Sequence, residues 1–293
     1  MNDSSYVLFI DTDTDFTPAI ANKYGYRLIS MPYTLDDKEV LPYVDFQEFD
    51  FHEFYEKLRN GAKPKTSSLS PIDYVNYFEP IFQEGKDALY VHFSSAISGT
   101  FNALAIAEKE LKEKYPERTL YRIDTKGISI LSYNIACEIG DMYLEGKTPE
   151  ELIAWADTEK WKFTVYFLAN DLSFFRRSGR VKALTAIVGN LIGIRPIIYI
   201  DDTGTMTSIN KARGLNNAVN TIVDYAKKLQ DDIKNHRVLI AHADSPVIAD
   251  KLKKRLLEEF GEDLKVEILP LNPTAGCHCG PDTVGVCFHS IGR

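Results

Sequence analysis

Short unbroken apolar runs alternate along this chain with longer stretches whose apolar positions recur every three or four residues. The first run, Tyr6-Val7-Leu8-Phe9-Ile10, predicts a buried strand that ends at Asp11-Thr12-Asp13-Thr14-Asp15. A helix is expected from Phe16, with Pro18 in its first turn. Further strands are predicted over 27–31, 88–93 and 119–123. Helical spacing runs over 49–58, 98–114 and 129–144, and another helix should open at Pro71 behind an N-cap at Ser70. Strands alternating with helices of this length imply parallel pairing through right-handed crossovers. The first half therefore predicts an α/β domain with a doubly wound, mostly parallel sheet.

The pattern changes in the second half. Strands are expected over 163–168, 238–243 and 264–269, and helices over 171–177, 183–192, 215–230 and 246–260. Runs at 194–200 and 205–209 flank Asp201-Asp202-Thr203-Gly204, a hairpin signal. The closing run, 284–289, alternates as an edge or half-buried strand would. Hairpins mixed with helices predict an α+β domain with a mixed or antiparallel sheet. The boundary is expected between 146 and 163, giving domains of 1–160 and 161–293. Neither an internal repeat nor a low-complexity stretch interrupts this plan.

Composition narrows the function. The chain has 293 residues, enough for two cores, with 44% hydrophobic and 26% charged residues. Its net charge of −8, without a basic tail, argues against nucleic acid as a partner. No apolar stretch approaches the roughly 20 residues that span a bilayer. Met1-Asn2-Asp3-Ser4-Ser5 lacks the basic region of a signal peptide, so a cytoplasmic location is expected. Of the four cysteines, Cys277 and Cys279 are one residue apart, too close for the usual zinc spacing, and no metal is expected.

Two hydroxyl-rich segments carry the candidate chemistry: Lys65-Thr66-Ser67-Ser68-Leu69-Ser70 and Ser94-Ser95-Ala96-Ile97-Ser98-Gly99-Thr100. Each precedes a helix, and the second directly follows a strand. Backbone N–H groups and hydroxyls at such turns suit a small anion, a carboxylate or a phosphate. Capping accounts for Ser70 and Ser98, but three adjacent hydroxyls at 66–68 and the Ser94-Ser95 pair exceed what caps require. His278 lies between Gly276 and Gly280, in what reads as a tight loop that exposes its imidazole, whereas His92 reads as a packed core residue. Asp11, Asp13 and Asp15 stand where magnesium-dependent phosphotransferases place carboxylates, although aspartates also make ordinary loop caps. Arg176-Arg177-Ser178-Gly179-Arg180 forms a basic knot at a helix end, facing solvent, an anion or an acidic partner. No Gly-x-Ser-x-Gly elbow, Walker A loop or His-Glu-x-x-His occurs. The residues alone leave open an anion-binding protein, a hydrolase using Ser95 or Ser98 with His278, and a metal-dependent phosphotransferase using Asp11 and Asp13.

Taken together, these segments resemble the DegV family of bacterial fatty-acid-binding proteins. The matching pieces are Asp11-Thr12-Asp13, Lys65-Thr66-Ser67-x-x-Ser70-Pro71, Ser94-Ser95-x-Ile97-Ser98-Gly99-Thr100 and Arg177-Ser178-Gly179-Arg180. Gly193-Ile194-Arg195-Pro196-Ile197, Lys211-Ala212-Arg213-Gly214 and Gly276-x-His278-x-Gly280-Pro281 continue the match. The resemblance implies a long-chain fatty acid held between two domains, with no cofactor and no chemistry by the protein itself. It implies that Thr66 and Ser98 hold the carboxylate, with Ser67 and Ser95 beside them and His278 near the head group. It further implies presentation of the acid to a separate fatty acid kinase, which makes acyl phosphate for phospholipid synthesis; Arg177 and Arg180 are the candidate docking residues. The chain departs from the family at Ser68-Leu69, where Gln-Pro is frequent. It departs again at Asp282, where glycine is usual and where a carboxylate turned inward would oppose an anion.

Overall fold

The computed structural model describes residues 5–182 and 193–293. In the first part, β1 (Tyr6–Asp11), α1 (Pro18–Tyr24) and β2 (Tyr26–Ile29) lead to a small hairpin, β3 (Tyr33–Leu35) and β4 (Lys38–Val40). Next come α2 (Phe51–Arg59), β5 (Lys65–Thr66), α3 (Pro71–Gln83), β6 (Asp87–His92), α4 (Thr100–Lys114) and β7 (Leu120–Asp124). Two helices, α5 (Ile130–Leu144) and α6 (Pro149–Glu159), complete this part. A wholly parallel sheet has the order β2-β1-β6-β7. Its central strands β1 and β6 are buried along nearly their whole length because helices cover both faces, while the edge strands β2 and β7 carry the exposed Arg27 and Arg122. Phe9, Tyr74, Phe78 and Tyr90 fill one side, and Phe16, Tyr24, Tyr26 and Tyr133 the other.

Local chemistry sets the element ends. Thr17 caps α1 with Pro18 at its first position. Ser70 and Asp73 form a reciprocal capping box at α3, as the Ser-Pro start predicts. The second hydroxyl segment differs from expectation: α4 begins at Thr100 behind Gly99, and Ser98 stands one residue earlier, accepting from the Thr100 N–H at 3.3 Å.

The second part runs β8 (Phe163–Leu168), α7 (Leu172–Ser178), β9 (Val181–Lys182), β10 (Ile194–Ile200) and β11 (Met206–Arg213). It closes with α8 (Leu215–Leu229), β12 (Val238–His242), α9 (Pro246–Phe260), β13 (Val266–Pro270), α10 (Pro273–Cys279) and β14 (Val284–His289). The helix expected over 183–192 lies outside the described residues. A seven-stranded mixed sheet has the order β13-β12-β14-β8-β10-β11-β9, with the expected hairpin as β10 and β11. On one face, α8 and α9 pack on Tyr166, Ile197, Ile240 and Phe288. On the other, α5 packs on β8, β12 and β14. Wedged between the sheets, α5 is buried over most of its length. Gly140 admits the Tyr24 ring, which would lie 2.6 Å from an added Cβ.

Two expectations are corrected here. The closing strand β14 is central, between β12 and β8, and buried throughout. Its alternation is of large against small side chains: Val284, Val286 and Phe288 enter the α8/α9 core, while Cys287 faces the core shared with α5. The segment around His278 is a helix, α10, rather than a tight loop. Asn272 caps it, accepting from the Ala275 N–H at 2.8 Å, Pro273 is its first residue, and Gly280 ends it at φ 71°.

Candidate functional site

The four parallel strands of the first sheet run in one direction, and the loops beyond their carboxyl ends converge. Asp13 follows β1, Met31 and Pro32 follow β2, Phe93, Ile97 and Ser98 follow β6, and Ile128 and Ser129 follow β7; all line one cavity. The connection reverses direction across the sheet between β1 and β6, the place where open α/β sheets bind ligands. The opposite wall comes from the inner face of the second sheet, through Val165, Phe167, Ile200, Met206, Ala241 and Gly285. Thr66 and Ser67 from β5, and Thr274, His278 and Cys279 on or beside α10, complete it. The space open to the centre of a water molecule is about 100 Å³. That is several times the roughly 10–15 Å³ one water needs. Aliphatic and aromatic side chains make most of the wall, and Thr66, Ser67, Ser98, Ser129, Thr274 and Thr283 add hydroxyl-bearing positions to it.

Thr66 is held by the pairing of β5 with β3, where it stands opposite Tyr33, and the Ser67 N–H donates to the Pro32 carbonyl at 3.1 Å. Its Oγ1 lies 3.0 Å from His278 Nε2. With the ring proton on Nε2, the histidine donates to Thr66, whose own hydrogen is then free for a ligand. His278 Nδ1 is buried without a partner. Burial, reinforced by Arg180 and Arg177, pushes the His278 pKa down to about 4, so the ring is neutral at pH 7. Ser98 accepts from Thr100 and keeps its hydrogen to donate. Arg180 lines the cavity while remaining exposed, donating to the Ser178 carbonyl at 2.5 Å.

The structure thus brings Thr66, Ser67, Ser98, His278 and Arg180 to one cavity. Ser95 is not among the wall residues: its hydroxyl donates to Asp124 Oδ2 at 2.5 Å and lies 3.0 Å from Lys126 Nζ. Ser94 is buried and donates to the Gly204 carbonyl at 2.8 Å, tying the first sheet's loop to the hairpin turn of the second. Arg177 is exposed, with its guanidinium 4.7 Å above the Phe174 ring. The histidine therefore pairs with a threonine; among the described residues neither Ser95 nor Ser98, the serines a hydrolase would use, is hydrogen-bonded to it, although Ser98 shares its cavity. His92 is buried, and its pKa falls to about 4 for that reason.

The three aspartates are buried. Asp11 accepts from the Asp13 N–H, the Tyr90 hydroxyl and the Phe93 N–H at 2.9–3.1 Å, which ties β1 to β6. Asp15 accepts from the backbone and side-chain N–H groups of Asn272 and from Ser129. Asp13 accepts from Thr274 Oγ1 with one oxygen. Of Asp11 and Asp13, the pair a metal-dependent phosphotransferase would use, Asp11 is thus committed to structural hydrogen bonds, and Asp13 has one oxygen engaged. Burial raises the pKa of all three, to about 7 for Asp13 and about 6 for Asp15. Asp282 points away from the cavity, toward Arg59 at 3.0 Å and Asn170 at 3.2 Å. Its φ of 61° explains why glycine suits that position. Leu69 is buried in the α3/α4 core, with its N–H bound to Thr100 Oγ1.

Sequence reasoning missed the cavity role of Asp13, Thr274 and Ser129. Their signal was available only in part: Asp13 follows a parallel strand, where such folds bind ligands.

Comparison with known proteins places this geometry in a family. A family model described as uncharacterised protein, DegV family, matches residues 5–290. A DegV domain-containing protein of Clostridium perfringens is 28% identical over 284 residues, covering 97% of each chain. The crystal structure of a DegV lipid-binding protein from Thermotoga maritima superposes with a TM-score of 0.83 at 25% identity, covering 98% of this chain and 99% of that one. A Thermus thermophilus DegV family protein, described by its fatty acid binding, superposes with a TM-score of 0.84 at 23% identity, covering 98% and 99%.

Proposed function

The chain belongs to the DegV family, and we propose that it binds a long-chain fatty acid in the cavity between its two sheets. Thr66, Ser67 and Ser98 hold the carboxylate, His278 orients the Thr66 hydroxyl toward it, and the apolar wall of the second sheet takes the tail. The observation that carries this reading is one largely apolar cavity whose wall carries Thr66, Ser67 and Ser98, with Thr66 bound to His278. Donors without full charge suffice to place an anionic head, since Ser98 and Thr66 each have a hydrogen to give. Affinity comes from the tail, at about 0.8 kcal/mol per buried methylene before ordering costs. The lipid-binding description of the Thermotoga maritima relative supports the same ligand class.

In this reading the protein is a cytoplasmic carrier without cofactor, made of domains 1–160 and 161–293. It presents its acid to a separate fatty acid kinase. The exposed guanidinium groups of Arg177 and Arg180 flank the hydroxyl cluster and are the docking contacts.

Mass spectrometry of an organic extract tests the site. Wild-type protein incubated with palmitate and oleate and then desalted should retain acid. Thr66→Val with Ser98→Ala should retain at least tenfold less, with an unchanged circular dichroism spectrum, since hydrogen bonds to a charged group contribute about 1.5–3 kcal/mol each. Equal retention by the double variant would remove these hydroxyls from the site. A wild type that takes up neither acid would end the reading.

A further inference from the structure

Among the described residues Asp13 is the one carboxylate in the cavity wall, and the proposed head-group contacts do not use it. One of its oxygens accepts from Thr274 Oγ1, and the other accepts no hydrogen bond among the described residues. The residue is only 7% exposed, so its open oxygen faces the cavity rather than bulk water. Neighbouring groups leave that oxygen free for physical reasons. Asp11 is occupied by β6, Ser129 donates to Asp15, and Asn272 satisfies Asp15 and the Asp13 carbonyl.

Placement along the wall follows from α10. Thr274 and His278 are four residues apart, on one face and just over one turn, about 6 Å, along the helix. His278 and Thr66 form one polar station and Thr274 and Asp13 a second. A chain that leaves a carboxylate at the first station in the direction of Thr274 passes the second within a few carbons.

We propose that Asp13 is a specificity residue that accepts a hydrogen bond from a hydroxyl near the head of the acyl chain, so that the cavity prefers a 3-hydroxy fatty acid over its unsubstituted counterpart. This rests on the fatty-acid reading above and refines it. A plain methylene leaves the buried oxygen unpaired, whereas a hydroxyl donates to it. The carboxyl remains available as an acceptor near neutral pH, where its raised pKa of about 7 leaves a substantial anionic fraction. The titratable groups around it are Asp11 and Asp15 on its own segment, Cys277 and His278 on α10, and Tyr74 and Tyr90 on α3 and β6.

Competition against bound radiolabelled palmitate at pH 8 tests the inference. The competitors are palmitate, 3-hydroxypalmitate and 16-hydroxypalmitate. Wild-type protein should be emptied by 3-hydroxypalmitate at about one tenth of the concentration that unlabelled palmitate requires, and 16-hydroxypalmitate should show no such advantage. In Asp13→Ala the ratio of 3-hydroxypalmitate to palmitate should fall to near one. If Asp13→Ala does not fold, Asp13→Asn, which keeps the shape but weakens the acceptor, should reduce the ratio severalfold. Equal competition by palmitate and 3-hydroxypalmitate in the wild type, or an undiminished preference in a folded variant, overturns the inference while leaving fatty acid binding intact. Failure of the wild type to bind any of the three acids overturns the fatty-acid reading itself.

Discussion

A carboxyl group buried against apolar side chains is held nearest its neutral form, and Asp13 shows what that does to stability. Burial raises its folded-state pKa to about 7, against an ordinary value near 4 when unfolded. Between these values the folded chain binds the proton and the unfolded chain does not. Stability from this group is therefore present at low pH and is lost as pH rises from about 4 to 7, opposite to the usual salt-bridged aspartate. The histidines with pKa values lowered to about 4, His92 and His278, act in the other direction, so a pH profile of the wild type alone mixes the two. Asp13→Asn isolates the aspartate. In urea denaturation, the wild type should lose stability relative to this variant as pH rises from 4.5 to 7.5, by at most about 1.4 kcal/mol per pH unit. A difference independent of pH would show that Asp13 is ionised in the folded protein throughout.

At the scale of elements, α10 decides whether the site exists, since it carries both Thr274 and His278. It reaches that position because Gly276 lets it rest on α2: a Cβ there would lie 2.7 Å from the Tyr55 hydroxyl and 3.0 Å from the Phe54 ring. Tyr55 is fully buried and donates to the Leu271 carbonyl at 3.1 Å, so it has little room to retreat. Gly276→Ala should lower the unfolding free energy by about 1–3 kcal/mol and weaken palmitate binding along with it, as measured by urea denaturation and ligand competition. Unchanged values for both would mean that α2 and α10 adjust freely. This helix also shows where the sequence was hard to read. Asn272-Pro273 at its start and Gly280 at its end are ordinary boundary signals, but a seven-residue helix with a glycine inside it and another at its end mimics a loop. By contrast β8, β10 and α9 lie where their apolar runs predict, because each is bounded by charged or turn residues. The strands β3, β4 and β5 escaped notice because they have only two or three residues each and half-exposed patterns. α6 escaped as well, although Thr148 and Glu151 form a capping box at its start. Among the cavity residues, Ser98 was legible from residue type after a strand end, and Thr66 and Ser67 from adjacent hydroxyls ahead of a helix. The diversion of Ser95 to Asp124 was not, since 29 residues separate the two.

Across the whole molecule, the cavity is a shared surface. Loops beyond β1, β2, β6 and β7 form one side, and β8, β10 and β12 form the other. Direct polar ties between the two sides also exist: Ser94 to the Gly204 carbonyl, and Arg237 to Glu138 at 2.9 Å. An acyl chain in the cavity adds apolar contacts to both sheets at once, so its binding energy opposes their separation as well as their unfolding. Ligand at 100 times its dissociation constant stabilises the folded state by about 2.7 kcal/mol. At roughly 2 °C per kcal/mol for a chain of this size, the thermal midpoint of delipidated protein should rise by about 5 °C on saturation with palmitate. Hydrogen exchange should slow in β8, β10 and β12 and in the loops after β1 and β6 together, because the ligand touches both. Protection confined to one sheet would place the acid on that sheet's surface, outside the shared cavity, and the hydroxyl cluster would then serve some other anion.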